Sequence, residues 1–386
     1  MRKRVLFSIV IVFAALAIVP VASADELNSG DIAWVATASA LVMLMTPALG
    51  FFYAGLVRRK NLVSTLFQCL AIFAVVSIAW TLWGYSLVFG PSLHGIIGDL
   101  SHFGLRGVGA TPDNDYAPTI PALLLYFFQL KFAAITPALI IGAIAERINF
   151  RSLLIFSLLW ATLVYAPVAH WIWNVNGWLH NLGTWFGWFG FNGRSSLASN
   201  TVAVTALVVT KLAGATAGLG WMVIDWYLKG KPSSVGLSIG AVCGLAAVTP
   251  ASGYIGPVSA IIIGLVVGVL SNLVANWRTT RTKLDDSLDV FACHGVGGIW
   301  GSLATGLFAS VAINSAGRNG LFFGNPKQFL VQLLAVAVVV VYAFAGSYLL
   351  LKLINIFSRI RVSPEDEELG LDTSLHGETA YDNSDF

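Results

Sequence analysis

The chain has 386 residues, of which 57% are hydrophobic and 11% charged, with a mean hydropathy of +0.78. These values exclude a soluble domain and describe an all-α polytopic membrane protein. The net charge of +3 is small and the basic residues fall in short clusters between apolar runs, so no nucleic-acid surface is indicated. The three cysteines, Cys69, Cys243 and Cys293, all lie inside apolar segments and read as small packing residues, not a disulfide framework.

Met1 to Arg4 is basic, Val5 to Val19 is apolar, and Ala22-Ser-Ala24 is a small-residue exit. That order describes a secretory signal peptide over residues 1–24, which places the mature N-terminus outside the cytoplasm. The other reading is an uncleaved anchor, for which the apolar run is short. Nine apolar runs of about twenty residues follow. They cover 31–57, 62–90, 119–145, 150–173, 198–228, 234–250, 254–277, 288–310 and 326–357.

Arg58-Arg-Lys60, Arg147 with Arg151, Lys229 with Lys231, Arg278 with Arg281 and Lys283, and Arg359 with Arg361 occupy every second loop and the C-terminal side. With the N-terminus outside, all of these are cytoplasmic, as positive-inside charge bias requires. The external connections at Gly107–Pro121 and Asn174–Gly177 carry turn chemistry. The aromatic stretch Thr184–Asn192 is too short to span a bilayer and belongs at the outer interface or in a re-entrant piece. Small-xxx-small pairs at Gly214/Gly218, Gly240/Gly244 and Gly264/Gly268 predict close helix packing. The membrane domain is thus 25–357, and 358–386 is an acidic cytoplasmic tail expected to be at most partly ordered.

His294 opens the glycine-rich run His294-Gly-Val-Gly-Gly-Ile-Trp300. An imidazole at membrane depth needs a partner or a water-lined cavity, so it is a functional candidate. The bland alternative is a Gly297/Gly301 helix contact with His294 bonded to a neighbouring carbonyl. Phe128 and Phe132 share one helix face, and with Trp173 and Phe191 they could form a cation-attracting vestibule, each contact worth about 0.5–2 kcal/mol. Ordinary interface anchoring is the competing account of the same aromatics. Lys131, Arg194 and Lys211 are cations within or beside spans, and the first two would oppose a cation there. Gly236-Leu-Ser-Ile-Gly240 matches a hydrolase elbow, with Ser238 as nucleophile and His294 as base, but it opens an apolar helix where the motif needs a strand-turn-helix.

The chain resembles the Amt/Mep/Rh family of ammonium transporters. The strings that carry the resemblance are Met45-Thr-Pro-Ala-Leu-Gly-Phe-Phe-Tyr-Ala-Gly-Leu-Val-Arg-Arg-Lys-Asn61, Trp83-Gly-Tyr-Ser-Leu-Val-Phe-Gly90 and Phe127-Phe-Gln129 through Gly142-Ala-Ile-Ala-Glu-Arg147. Others are Tyr165-Ala-Pro-Val-Ala-His-Trp-Ile-Trp173, Gly187-Trp-Phe-Gly-Phe-Asn192, Leu284 through Trp300, and Glu368-Leu-Gly-Leu-Asp-Thr-Ser-Leu-His-Gly-Glu378. The resemblance implies a homotrimeric, non-enzymatic transporter of ammonium or ammonia in the plasma membrane, without a cofactor.

It also implies site residues. Phe132, Trp173 and Ser195, with Phe128, match an outer recruitment site; Phe132 and Phe191 match a gate of stacked rings; and His294 matches one of two pore histidines. The tail resembles the segment that meets a PII-type nitrogen signalling protein. One departure is large. Between Trp173 and Trp185 the family has roughly fifty more residues, about two spans, which hold the second pore histidine, an aspartate near the recruitment site and a cytoplasmic loop. Their loss keeps topological parity and leaves nine spans where the family has eleven. It also raises a second reading, a non-conducting ammonium-sensing subunit or decayed copy, and weakens the expected PII-type contact.

Overall fold

The computed structural model describes residues 27–184 and 197–381. The expected signal peptide, most of the aromatic stretch Thr184–Asn192, and Phe191, Arg194 and Ser195 lie outside the described residues.

The first long apolar unit is two helices, α1 (Ser29–Met43) and α2 (Met45–Ala54), broken at Leu44. Asn28 caps α1 by accepting from the Asp31 amide. Next come α3 (Leu62–Ala79), a wide π turn at Trp80–Gly84 and α4 (Tyr85–Phe89). Two short hairpins follow in the connection to the next helix. One pairs β1 (Ser92–Leu93) with β2 (Ile97–Gly98), the other β3 (Pro112–Asp113) with β4 (Ala117–Pro121).

The third unit is α5 (Ala122–Ile144), more deeply buried than the other long apolar helices, which makes it the central helix of the N-terminal half. Then come α6 (Phe150–Trp160), a π turn at Ala161–Tyr165, α7 (Ala166–Trp173) and the single turn α8 (Trp178–Leu182). After the undescribed segment lie α9 (Thr201–Lys229), α10 (Ser234–Val248), α11 (Pro257–Arg281), a π turn at Phe291–Gly295 leading into α12 (Val296–Phe308), and α13 (Pro326–Phe357).

All nine expected segments are helical. Among the described residues, seven helical units are long and apolar enough to cross a membrane. The segments expected at 234–250 and 288–310 fall short, with 15 residues in α10 and 13 in α12. In the latter, Asp289 takes a left-handed conformation, with φ 54°, so helical backbone starts only after it, and the Phe291–Gly295 π turn occupies the residues before α12.

Two large cores form beside two smaller clusters. One joins α2–α7 and the C-terminal end of α13, including Ile72, Val76, Ala134, Ile141, Leu153 and Ile354. The other joins α9–α12, including Ala213, Ala217, Cys243, Ala247 and Ile263. The glycine pairs seen in the sequence are what bring the second set together. A Cβ on Gly264 would lie 2.4 Å from the Ala213 carbonyl oxygen, and one on Gly268 would lie 2.3 Å from that of Ala217. Backbones packed this closely leave no room for any side chain.

The tail departs from expectation. Ser363 caps the helix α14 (Pro364–Leu369) with a capping box, and a π turn follows at Asp372–His376. This segment docks on the N-terminal ends of α3 and α6. The Asp372 carboxylate accepts from the amides of Val63 (3.0 Å) and Ser64 (2.7 Å), and the Leu371 amide donates to Asn61 Oδ1 at 2.8 Å. The His376 ring stands edge-on to Phe67 and Phe150, each 5.1 Å away between ring centroids. The acidic composition suggested disorder, but orphan amides at a helix N-terminus attract a carboxylate strongly enough to order it.

Candidate functional site

His294 is placed by its turn. Upstream, Asp286 accepts from the amides of Val290 (3.0 Å) and Phe291 (2.8 Å), which starts the helix. Arg278, at the end of α11, holds Asp289 through two hydrogen bonds to Oδ1, 3.1 Å from Nε and 2.8 Å from Nη2. The Leu288 amide donates to the Gly142 carbonyl at 3.0 Å, and a Cβ on Gly142 would sit 2.6 Å from Val290 and 2.8 Å from the Tyr53 ring. Two halves of the chain therefore cross within one residue of the turn. The turn itself is π-type, a widened coil common at functional positions because it offsets one side chain from the helical stripe. That offset residue region includes His294, which is half-buried and makes no hydrogen bond among the described residues. The bland expectation, an imidazole bonded to a neighbouring carbonyl, is not met. The Gly297/Gly301 helix contact is met: a Cβ on Gly301 would lie 2.0 Å from the Ala247 oxygen.

The aromatics named with His294 fall into two sets. Phe128 and Phe132 are buried on α5, in an edge-to-face pair with centroids 4.9 Å apart, among Val35, Val42, Ile120 and Leu125. Trp173 closes α7, stacked on Phe89 at 6.5 Å and edge-on to Tyr165 at 6.1 Å. Asn174 fixes this end of the helix, its amide side chain donating to the carbonyls of Val88 and Gly90, both at 3.0 Å. Tyr116, from the second hairpin, packs in both sets and meets Phe89 at 5.0 Å. Sequence reasoning passed over it because it sits in a loop with no periodic signal. Among the described residues, the buried Trp173 Nε1 and Tyr165 hydroxyl have no hydrogen-bond partner.

Lys131 lies between Phe128 and Phe132 in sequence and is 1% exposed. Its ammonium donates to the Phe127 carbonyl and rests over the Phe127 ring. Lys211 is on the exposed side of α9. Ser238 sits inside α10, where its hydroxyl donates to the Ser234 carbonyl at 3.0 Å, so the Gly236–Gly240 match forms no nucleophile elbow. Among the described residues no cluster of three or more His, Cys, Asp or Glu could hold a metal.

The sequence model of the Ammonium Transporter Family matches this chain in two segments, 33–185 and 182–381. The chain belongs to the ammonium transporter family. It is 39% identical over 410 residues to the ammonium transporter of Bacillus subtilis (strain 168), covering 93% of this chain and 100% of that protein. It is 41% identical to ammonium transporter Amt1 of Archaeoglobus fulgidus, covering 92% and 100%. In three dimensions it superposes on Saccharomyces cerevisiae Mep2 with a TM-score of 0.83 and 30% identity, covering 93% of each chain. It superposes on a Sensor Amt Protein with a TM-score of 0.81 and 25% identity, covering 90% of this chain and 98% of that one. The transporter is therefore a multi-pass membrane protein and not an enzyme. In the Bacillus alignment, 93% of 386 residues is about 359, against 410 aligned positions, so about 51 positions have no residue here.

Proposed function

We propose that this transporter carries ammonium across the plasma membrane as ammonia, past a single pore histidine. Ammonium is recruited from outside at Phe132, Trp173 and Ser195, with Phe128 behind. It then passes a gate of Phe132 and Phe191, and gives up its proton before the apolar channel that His294 lines. The physical demand is plain. An ion stripped of water in an apolar tube costs tens of kcal/mol in the idealised limit, whereas neutral ammonia is penalised far less. The observation that carries the proposal is the imidazole of His294, which makes no hydrogen bond among the described residues and is held by a wide turn. The unpaired Trp173 and Tyr165 atoms support an outer cavity of mixed ring faces and polar groups.

The chain works as a homotrimer with its N-terminus outside and its tail cytoplasmic, and the segment absent between Trp173 and Trp185 removes the second pore histidine. With the neighbouring cytoplasmic loop also gone, a PII-type partner binds the docked tail more weakly than it binds a full-length relative.

A second reading has its own observation. Lys131 is buried on the same helix as the two vestibule phenylalanines, with its ammonium on the Phe127 carbonyl and ring, and a fixed positive charge there opposes a second cation and suits a subunit that senses ammonium without conducting. One experiment separates the two: purified protein in proteoliposomes is pulsed with ammonium while charge movement and internal pH are followed. A saturable response abolished by His294→Ala supports transport. Silence from folded protein that gains a response in Lys131→Met supports the sensing reading. A response indifferent to His294→Ala removes that residue from the pore.

A further inference from the structure

The first turn of α1 carries a buried acid where three segments of the chain meet. Asp31 is 6% exposed, yet its carboxylate does not cap its own helix, because Asn28 does that by accepting from the Asp31 amide at 3.0 Å. The carboxylate reaches across the chain instead. Its Oδ1 accepts from the Ser199 amide at 2.8 Å and from the Ser199 hydroxyl at 3.1 Å, 168 residues away in sequence. Gly30 reports the same approach, since a Cβ there would lie 3.5 Å from the Ser199 hydroxyl oxygen. The positive end of the α1 dipole favours a carboxylate at this position, and hydrogen bonds to a charged acceptor are stronger than neutral ones.

What Asp31 joins lies next to the phenylalanines. Ser199 leads into α9, which Asn200 caps by accepting from the Ala203 amide at 3.0 Å. Two residues before Ser199, Leu197 takes a left-handed conformation, with φ 50°, and is buried in the cluster that holds Phe128, Phe132, Val35 and Val42. A leucine does not hold that conformation unaided, so bonds beside it must keep it there. On α1, Val35, Ser39 and Val42 continue the buried face that Asp31 begins. The Asn28 amide donates to the Thr119 carbonyl at 2.9 Å, and Thr119 belongs to β4, which runs directly into α5. The start of α1 therefore binds both the strand that leads into α5 and the residues that lead into α9.

We propose that Asp31 is a positioning residue for ammonium recruitment: its carboxylate holds residues 197–199 against the Phe128 and Phe132 cluster and so sets the affinity of the site. The inference rests on the recruitment reading, in which Phe132 meets the cation. Two other roles make different demands. A tie that only stabilises the fold lowers the melting temperature and leaves affinity alone. A direct electrostatic pull on ammonium follows the charge of Asp31, whereas positioning follows the acceptor, which an asparagine retains.

The test uses the intact protein and reads the ammonium concentration that half-saturates two responses. One is charge movement in proteoliposomes; the other is thermal stabilisation in detergent relative to sodium chloride, which needs no conduction. Asp31→Ala should raise that concentration about tenfold with the maximal response unchanged, as the loss of hydrogen bonds to a charged acceptor allows. Asp31→Asn should stay within about threefold of the wild type, since it keeps an acceptor for the Ser199 amide. Ser199→Ala removes one of the two bonds and should raise the concentration about threefold, adding nothing in the Asp31→Ala background. Ser199 is exposed, so this variant decides the matter if Asp31→Ala does not fold. An unchanged half-saturating concentration in Asp31→Ala or Ser199→Ala overturns the proposal, and so does an asparagine variant as impaired as the alanine. Phe132→Ala separates the two levels of the argument. If it shifts half-saturation and Asp31→Ala does not, the positioning role alone falls; if it shifts nothing, the recruitment reading falls and takes the positioning role with it.

Discussion

Replacing Asp372 with alanine should release the tail from the N-terminal end of α3. In the native protein this carboxylate, 2% exposed, accepts from the Val63 amide at 3.0 Å and the Ser64 amide at 2.7 Å. It acts as a helix cap contributed from 309 residues away in the chain. A cap of this kind is worth about 0.5–2 kcal/mol. Hydrogen bonds to a charged acceptor are worth about 1.5–3 kcal/mol, and the two amides would be left buried without a partner. Because the contributions overlap, the expected loss is about 2–4 kcal/mol, or a drop of about 30- to 1,000-fold in the docking equilibrium. Hydrogen exchange followed by mass spectrometry reads it directly, since peptides containing Val63 and Ser64 should exchange faster by that factor while those of α5 stay protected. Limited proteolysis should at the same time open the tail after Arg361. Asp372→Asn keeps an acceptor and loses the charge, so it should fall between the two. If exchange at Val63 and Ser64 in the alanine variant matches the wild type, the carboxylate does not hold the tail, and the capping argument fails.

The same docked tail should respond to pH. Burial holds the His376 imidazole below its ordinary value of 6.5, against the opposing pull of Glu378 and Asp372, with Ser64, Phe67 and Phe150 completing its surroundings. A depressed histidine favours the docked state while neutral, so docking is complete above 6.5 and weakens as pH falls below it. Tail proteolysis should accelerate across that window, and His376→Gln should flatten the dependence; an unchanged slope in the variant would assign the effect elsewhere. A packing prediction concerns α12. Gly301→Val places a Cβ 2.0 Å from the Ala247 carbonyl oxygen, a backbone atom that cannot yield, whereas Gly298→Ala meets nothing within 4 Å. Thermal unfolding should show a loss of about 3 kcal/mol or more for the valine variant. The alanine variant should be neutral or gain up to about 1 kcal/mol from helix propensity. Equal melting temperatures for the two would show that α10 and α12 do not pack as described.

Much of this protein is legible without a structure, because the membrane makes local pattern decisive. A run of apolar residues long enough to cross a bilayer must be helical to satisfy its own backbone, and basic loops sort to one side. The nine segments followed from that alone, as did the tight α9–α11 packing from glycines at every fourth position. The strings shared with ammonium transporters, and the residues absent after Trp173, are likewise properties of the chain as written.

Tertiary structure decided what depends on partners distant in sequence. Asp372 reads as one acid in a polar tail until it is seen at the start of α3. Gly142 reads as a helix glycine until Tyr53 and Val290 are found against it. Even the direction of Lys131, back onto Phe127, follows from what closes around it. Spacing along a chain reports which residues share a helix face. What lies opposite that face is chosen by the packing of all the helices at once, and there the sequence alone is silent.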